Sequence, residues 1–357
     1  MKMEQVTLTE KAIELLKELI SIQSFSSEED KTADAIENWF KAFHVPFQRK
    51  INNVFAVNKH FDGGKPTLLL NSHHDTVKPN SAYTKDPFHP HIEDGKLFGL
   101  GSNDAGGALV SLLAAFTHFY ASENLSHNIL MVASMEEENA GPNSLRGLLP
   151  SLPKIDVAIV GEPTLLDLAI AEKGLVVFDG VIKGTPSHAA HPNTDNSIYN
   201  SIKVLEWFKN YKFEKVSDAL GEVKLTVTQI KAGSQHNVVP AQVDLVIDVR
   251  VNDKYSNAEI AKILKKEAPC ELKERGLKLN SSKIDKDHAL VQSGIALGRK
   301  TYGSPTLSDQ AALTCQSLKL GPGDSTRSHS ADEFIYVKEI EEGVDLYIKL
   351  LEGFLNK

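Results

Sequence analysis

Cysteine is nearly absent from this chain: 357 residues contain two, Cys270 and Cys315, far apart and outside any Cys-x-x-Cys. That excludes a disulfide framework and a cysteine metal site, and it suits a reducing compartment, so a cytoplasmic location is expected. Long apolar runs are missing as well. Charged residues interrupt each one, including the first amphipathic stretch at residues 8–20, so neither a secretory leader nor a membrane span of ~18 apolar residues is expected. Basic runs are also lacking, and 39 Lys and Arg against 47 Asp and Glu leave a formal charge of −8, which argues against a nucleic-acid partner. No low-complexity tract occurs. Gly-x-Ser-x-Gly and His-Glu-x-x-His are absent too, which removes a serine-nucleophile elbow and one common zinc-protease signature.

What remains is an ordinary globular composition, 41% apolar and 24% charged, on a chain long enough for two domains. Helical spacing is read at residues 9–20, 28–43, 105–120, 290–302 and 338–355. Short, almost wholly apolar runs at 67–72, 129–134 and 156–161 read as strands buried on both faces, and their alternation with helices implies a parallel α/β sheet. From about residue 174 the texture changes to strict alternation, as at 175–182, 223–228 and 243–250, with helical patterns at 197–209 and 257–266. The fold expected is therefore α/β: a mixed, mostly parallel sheet flanked by helices, formed by residues 1–175 and 289–357. An α+β unit at 176–288 is inserted into it.

The polar clusters fall where such strands end, which is where sites in parallel sheets gather. His73-x-Asp75 follows the first buried strand, and alternation puts the two on one side, suiting a ligand and a carboxylate that orients it. Taken alone, the pair is more simply a polar turn with satisfied histidines. Asp104 precedes Ala105-Gly106-Gly107-Ala108 and can be a helix N-cap, or a carboxylate left at the sheet edge by a helix that starts close to another backbone. Asp104 also stands where the third glycine of a Gly-x-Gly-x-x-Gly pattern from Gly99 would be, so dinucleotide binding is not expected. Glu136-Glu137-Glu138 is a solvated acidic loop or a cluster compensated by a divalent cation. Glu162, in Gly161-Glu162-Pro163-Thr164, and His329, after Gly321-Pro322-Gly323-Asp324, complete the set; each alone is a loop residue.

Taken in order, these segments resemble the M20 family of metallopeptidases and deacylases over nearly the whole chain. The resemblance implies a zinc-exopeptidase-like catalytic domain, with the inserted unit as a lid and dimerisation domain. It implies two divalent metal ions, zinc first and cobalt or manganese next. His73 and Glu162 would hold one, Glu138 and His329 the other, and Asp104 would bridge them, with Asp75 orienting His73. Glu137 would be the general base, unless the triplet slips by one and Glu136 takes that role. Relatives often carry lysine where this chain has Gly106. The segment Gly184-Thr185-Pro186-Ser187-His188 resembles one whose histidine enters the partner subunit's site in a homodimer and stabilises the tetrahedral intermediate. Asn237 and Arg250 match lid residues that contact substrate; read from the residues alone, they are a turn asparagine and a strand-end arginine in a salt bridge. Arg327 offers a further carboxylate anchor.

The expected reaction is hydrolysis of the amide of a small N-acyl amino acid, with N-acetylornithine first, as in the family's acetylornithine deacetylase branch. N-succinyl and citrulline-type substrates, succinyl-diaminopimelate and dipeptides follow it. A binding protein with a decayed site is the alternative of a different class.

Overall fold

The computed structural model describes residues 5–356, which divide into two compact units. The first comprises the described residues up to Ile170, Lys283–Tyr302 and the described residues from Ser308 onward; the second comprises Ala171–Ser282 and Gly303–Leu307. The boundaries thus lie at 171 and 282 rather than 176 and 288. Residues just after 282 belong to the first unit because Ile284 donates its N–H to the Ile170 carbonyl, at 2.9 Å, and Asp285 donates to Gln316 Oε1, at 2.7 Å.

The first unit is built on a mixed sheet in which Gln48–Lys50, Asn53–Val57, Asn128–Ser134, Thr67–His73, Val157–Val160 and Gln316–Lys319 lie side by side in that order. The last four run parallel, with Ser72 opposite Ala133, Asn71 opposite Val160 and Val160 opposite Lys319. All four therefore end at one edge. Every residue of Thr67–His73 and Asn128–Ser134 is buried because both faces are covered. Leu68, Leu70, Ile129, Met131 and Ile159 face a core with Leu109, Leu112 and Phe116 of helix Gly107–Phe119 and Ile340, Val344 and Leu351 of helix Val337–Leu355. Leu69, Leu130, Val132 and Ala158 point the other way, against Phe55, Leu145 and Leu148.

Helices Gln5–Ile20 and Asp30–Ala42 form where apolar residues recur at three and four spacing. Two helical expectations need correcting. Helix Gly107–Phe119 is preceded by a kinked turn, Ser102–Gly106, in which Asp104 (φ −118°, ψ 98°) and Ala105 (φ −120°, ψ 33°) are not helical. The stretch read as 290–302 is helical only over Ala289–Ala296. Gly298, at φ +81°, lets its own N–H and that of Arg299 close back on the Ile295 and Gly294 carbonyls, and the chain leaves as the strand Thr301–Ser304.

The second unit is an antiparallel sheet ordered Lys224–Ala232, Gln242–Val251, Gly174–Lys183 and Glu271–Glu274. Burial alternates along the two central strands because only one face is covered. There Val176, Phe178, Leu245, Ile247 and Val249 meet Val204 and Phe208 of helix Ser197–Asn210 and Ile260 and Leu264 of helix Asn257–Glu267.

Candidate metal centre

The parallel strands place three acidic or imidazole segments at one sheet edge: His73 ends its strand, Glu136-Glu137-Glu138 follow Ser134, and Glu162 follows Val160. The fourth parallel strand leads into Gly321-Pro322-Gly323-Asp324, whose glycines are dictated by close approach. A Cβ on Gly321 would lie 2.5 Å from the Glu162 carbonyl oxygen; Gly323, at φ +92°, packs on the Asn103 side chain. Thr164 locks the two loops together, donating its N–H to the Gly321 carbonyl and receiving the Gly321 N–H on Oγ1, both at 3.1 Å. The loop after Val160 is therefore held before Glu162 makes any contact of its own.

Asp104 is not a helix cap. The cap position of Gly107–Phe119 is Gly106, which has no side-chain acceptor, and a Cβ there would lie 2.5 Å from the Gly101 carbonyl oxygen. The small residues thus bring the helix start against another backbone. No side chain, lysine included, fits at Gly106 without displacement.

His73 Nε2 lies 3.3 Å from Asp104 Oδ1 and 3.9 Å from Glu162 Oε1, while His329 Nε2 lies 3.0 Å from Glu138 Oε2 and 3.7 Å from Asp104 Oδ2. The two oxygens of Asp104 thus face two different imidazoles. His73, Asp104 and Glu138 offer atoms within 4.8 Å of one another, and so do His73, Glu137 and Glu162. Asp75 sits behind this group. Its carbonyl is 2.9 Å from His73 Nδ1 and its carboxylate 3.4 Å, and that carboxylate also accepts from the N–H groups of Glu137 and Glu138 and from Ser26 Oγ. Asp75 therefore joins the histidine and glutamate segments, and its nearest hold on His73 is the backbone carbonyl rather than the carboxylate. His74, on the opposite side, is a buried histidine bonded to Thr32 and the Asn52 carbonyl; burial lowers its pKa to about 4.

The three glutamates part company. Glu136 is 2% exposed, and its carboxylate accepts from Ser27 Oγ at 2.8 Å, Asn143 N–H at 2.8 Å and Asn143 Nδ2 at 3.1 Å. It is committed to structure. Glu138 contacts His329. Glu137 lies near His73 and Glu162, and burial, reinforced by Glu162, Asp309 and Glu138 against the pull of His73, raises its pKa well above the ordinary carboxyl range.

Without a cation the cluster carries unbalanced negative charge, which distributes protons unusually. Burial and Asp104 push Glu162 up to about 8. The hydrogen bond to Glu138 raises His329 to about 9. Burial opposes a charge on His73, but Asp104, Asp75, Glu137 and Glu162 outweigh it and raise its pKa. Two nitrogen donors among several carboxylates, with His73 beside one oxygen of Asp104 and His329 beside the other, make a donor set suited to divalent cations that keep an open position.

Two buried carboxylates were not foreseen. Glu333 accepts three backbone N–H groups from the Asp104 loop, and Asp309 accepts from Ser134 Oγ at 2.6 Å. Glu333 carried one usable signal, its place four residues after His329; Asp309, in a Ser-Asp turn, carried none. Conversely, Arg327 is not a free anchor. Its guanidinium is bound twice by Glu339, at 2.7 and 3.1 Å, and stacks over Phe334 and Tyr336. Arg250 is likewise engaged by Asp248, two residues away on the same strand face, at 2.8 and 3.1 Å. In the second unit the bridge of Ser187–His188 to Val238–Val239 brings His188 beside Asn237, both exposed, and Asn237 receives the Ala189 N–H on its carbonyl.

Residues 69–353 match the model of peptidase family M20/M25/M40. The chain belongs to this family. It is accordingly a metal-dependent hydrolase. A succinyl-diaminopimelate desuccinylase of Wolbachia pipientis is 25% identical over 96% of this chain and 93% of its own length. A LysW-lysine/LysW-ornithine hydrolase of Sulfurisphaera tokodaii is 27% identical over 100% and 99%. Among solved structures, an M20 metallo-carboxypeptidase of Sulfolobus solfataricus superposes with a TM-score of 0.75 at 18% identity, covering 96% of this chain and 99% of that one. A dinuclear metal binding M20 peptidase of Bacillus subtilis gives 0.73 at 15% identity, over 97% and 98%. These likenesses confirm the fold class expected from the strand and helix patterns. No described helix is long and apolar enough to cross a membrane.

Proposed function

We propose that the chain hydrolyses the amide bond of an N-acylated diamino acid, using two divalent cations, zinc first and cobalt or manganese next. The observation that carries this reading is the division of Asp104, one oxygen toward His73 and the other toward His329. His73 and Glu162 would hold one cation and Glu138 and His329 the other, with Asp104 serving both. Bound cations supply Lewis acidity and make a neighbouring water acidic enough to ionise near neutral pH. Glu137, beside His73 and Glu162, takes that proton and returns it to the leaving nitrogen. The saturation of Glu136 by Ser27 and Asn143 supports Glu137 over its neighbour as the base. Asp75 keeps His73 and the 137–138 backbone in place.

His188 accepts the Ala190 N–H on Nδ1 at 3.1 Å, which leaves Nε2 as the ring nitrogen that can donate to an oxyanion. In a homodimer it would do so in the partner's site, with Asn237 beside it. Dimerisation is supported by the open edge of strand Lys224–Ala232 and by the exposed Ile198, Tyr199 and Ile202 on one helix face. Sedimentation at micromolar concentration tests it; a monomer that retains full activity would count against the shared site.

For the substrate, relatives named for diaminopimelate, lysine and ornithine point to an amine donor with a second amino group. N-acetylornithine is the first compound to test, followed by N-succinylornithine and N-succinyl-diaminopimelate. The metal-loaded chain should release amine from matched acetyl and succinyl derivatives of ornithine, lysine, citrulline and diaminopimelate, with the diamino acids ahead. Uptake of less than about one cation with no hydrolysis of any of them would favour a decayed binding protein instead.

A further inference from the structure

The carboxylate of Glu333 lies outside the proposed ligand set and takes no proton in the reaction, yet it is only 2% exposed. Its Oε1 accepts the N–H groups of Asn103 and Asp104, both at 2.9 Å, and its Oε2 accepts the Gly101 N–H at 3.2 Å. Its own carbonyl receives the Gly99 N–H at 3.0 Å. Such N–H groups, buried in a turn before a helix, must find acceptors, and a carboxylate is the strongest one a side chain offers. Without Glu333, nothing among the described side chains takes those three bonds.

The same residue stands at the end of the loop that carries His329. His329 itself is 56% exposed with a left-handed φ of 57°, in a loop tied to its surroundings by hydrogen bonds of Asp324 and Ser328 to Asn103 and of Asp332 to Thr84 and Lys85. His73 and Glu162, by contrast, terminate or follow strands that are paired on both sides. Glu333 is thus the link that holds the backbone N–H groups of the Asp104 turn to the loop of His329, beside the side-chain link of Asn103 to Asp324 and Ser328, while the other half of the centre is fixed by the sheet.

We propose that Glu333 is a positioning residue that sets the spacing of Asp104 and His329, and so governs retention of the cation bound through His329 and Glu138. This rests on the ligand assignment given above. Glu333→Gln keeps an oxygen for Asn103 and Asp104 and turns an NH2 toward Gly101; Glu333→Ala removes all three bonds. Competitive Zn²⁺ titration against a chromophoric chelator should show one of the two binding steps weakened by about 10–100-fold in Glu333→Ala and by less in Glu333→Gln, with the other step within about threefold of wild type. The Co²⁺-loaded variants should lose the magnetic coupling between the two ions. Equal weakening of both steps together with a lower melting temperature of the metal-free protein would reduce Glu333 to a stability role and overturn the proposal, as would unchanged binding. If Glu333→Ala does not fold, Glu333→Gln alone decides. Wild-type protein that binds one cation, or His329→Ala that binds two normally, would instead overturn the ligand assignment.

Discussion

Substituting Gln for Glu137 and, separately, for Glu136 removes one ionisable oxygen from each of two adjacent residues whose surroundings differ completely. At position 137 the amide has nearly the same volume and shape, so metal uptake and folding should change little. What is lost is the group that accepts a proton from water, a contribution of about 10²–10⁴ in kcat, or roughly 3–5 kcal/mol of barrier. At position 136 the carboxylate accepts from Ser27 and twice from Asn143 in a buried pocket. An amide there must present its NH2 to at least one donor, which should cost about 1–3 kcal/mol of stability with kcat largely retained. Amine release from an N-acyl amino acid, measured with kcat and KM separated, is read beside metal content and melting temperature. The reasoning fails if Glu136→Gln is the inactive variant with a normal melting temperature while Glu137→Gln turns over at near wild-type rate.

Four other consequences can be checked. At pH 7 the metal-free protein should hold protons on His329, whose pKa is about 9, and Glu162, at about 8; both must leave on metal binding, so uptake should release protons and affinity should rise with pH toward 9. Calorimetry in buffers of different ionisation heat measures this, and uptake without proton release would contradict it. The raised His329 pKa stabilises the fold below 6.5 and that benefit fades through about 9, while ionising the shifted Glu162 penalises the fold increasingly above 4.5, so the metal-free melting temperature should fall from pH 5 to 9. Gly321→Ala forces a Cβ to 2.5 Å from the Glu162 carbonyl oxygen and should lower stability by about 1–3 kcal/mol and weaken metal binding; normal values of both would show that the loop can yield. Arg327→Ala should lower the melting temperature through loss of Glu339 and the aromatic stack while KM stays within about twofold, and a tenfold rise in KM at unchanged stability would restore Arg327 as a substrate anchor.

Much of the centre was legible because it sits at the ends of parallel strands. A short apolar run that stops abruptly at His73, Glu136 or Glu162 announces both a buried strand and the side of the sheet on which the polar residues emerge. The insertion could be seen from the change to alternating burial. The arginines could not be read in the same way. Whether Arg250 and Arg327 face a ligand or a carboxylate depends on Asp248 and Glu339, and nothing in residue type or spacing distinguishes a free guanidinium from an engaged one.

Order and kind of residue along the chain therefore determined the α/β architecture, the identity of the polar clusters and the family. Only the tertiary structure separated Glu136 from Glu137, divided the two oxygens of Asp104 between two imidazoles and drew Glu333 beneath the Asp104 loop. The physical reason is that these depend on which donors reach which oxygens within about 3 Å. Ser27 lies 109 residues from Glu136, and Gly101 and Asn103 lie 232 and 230 residues from Glu333, so packing alone brings them there.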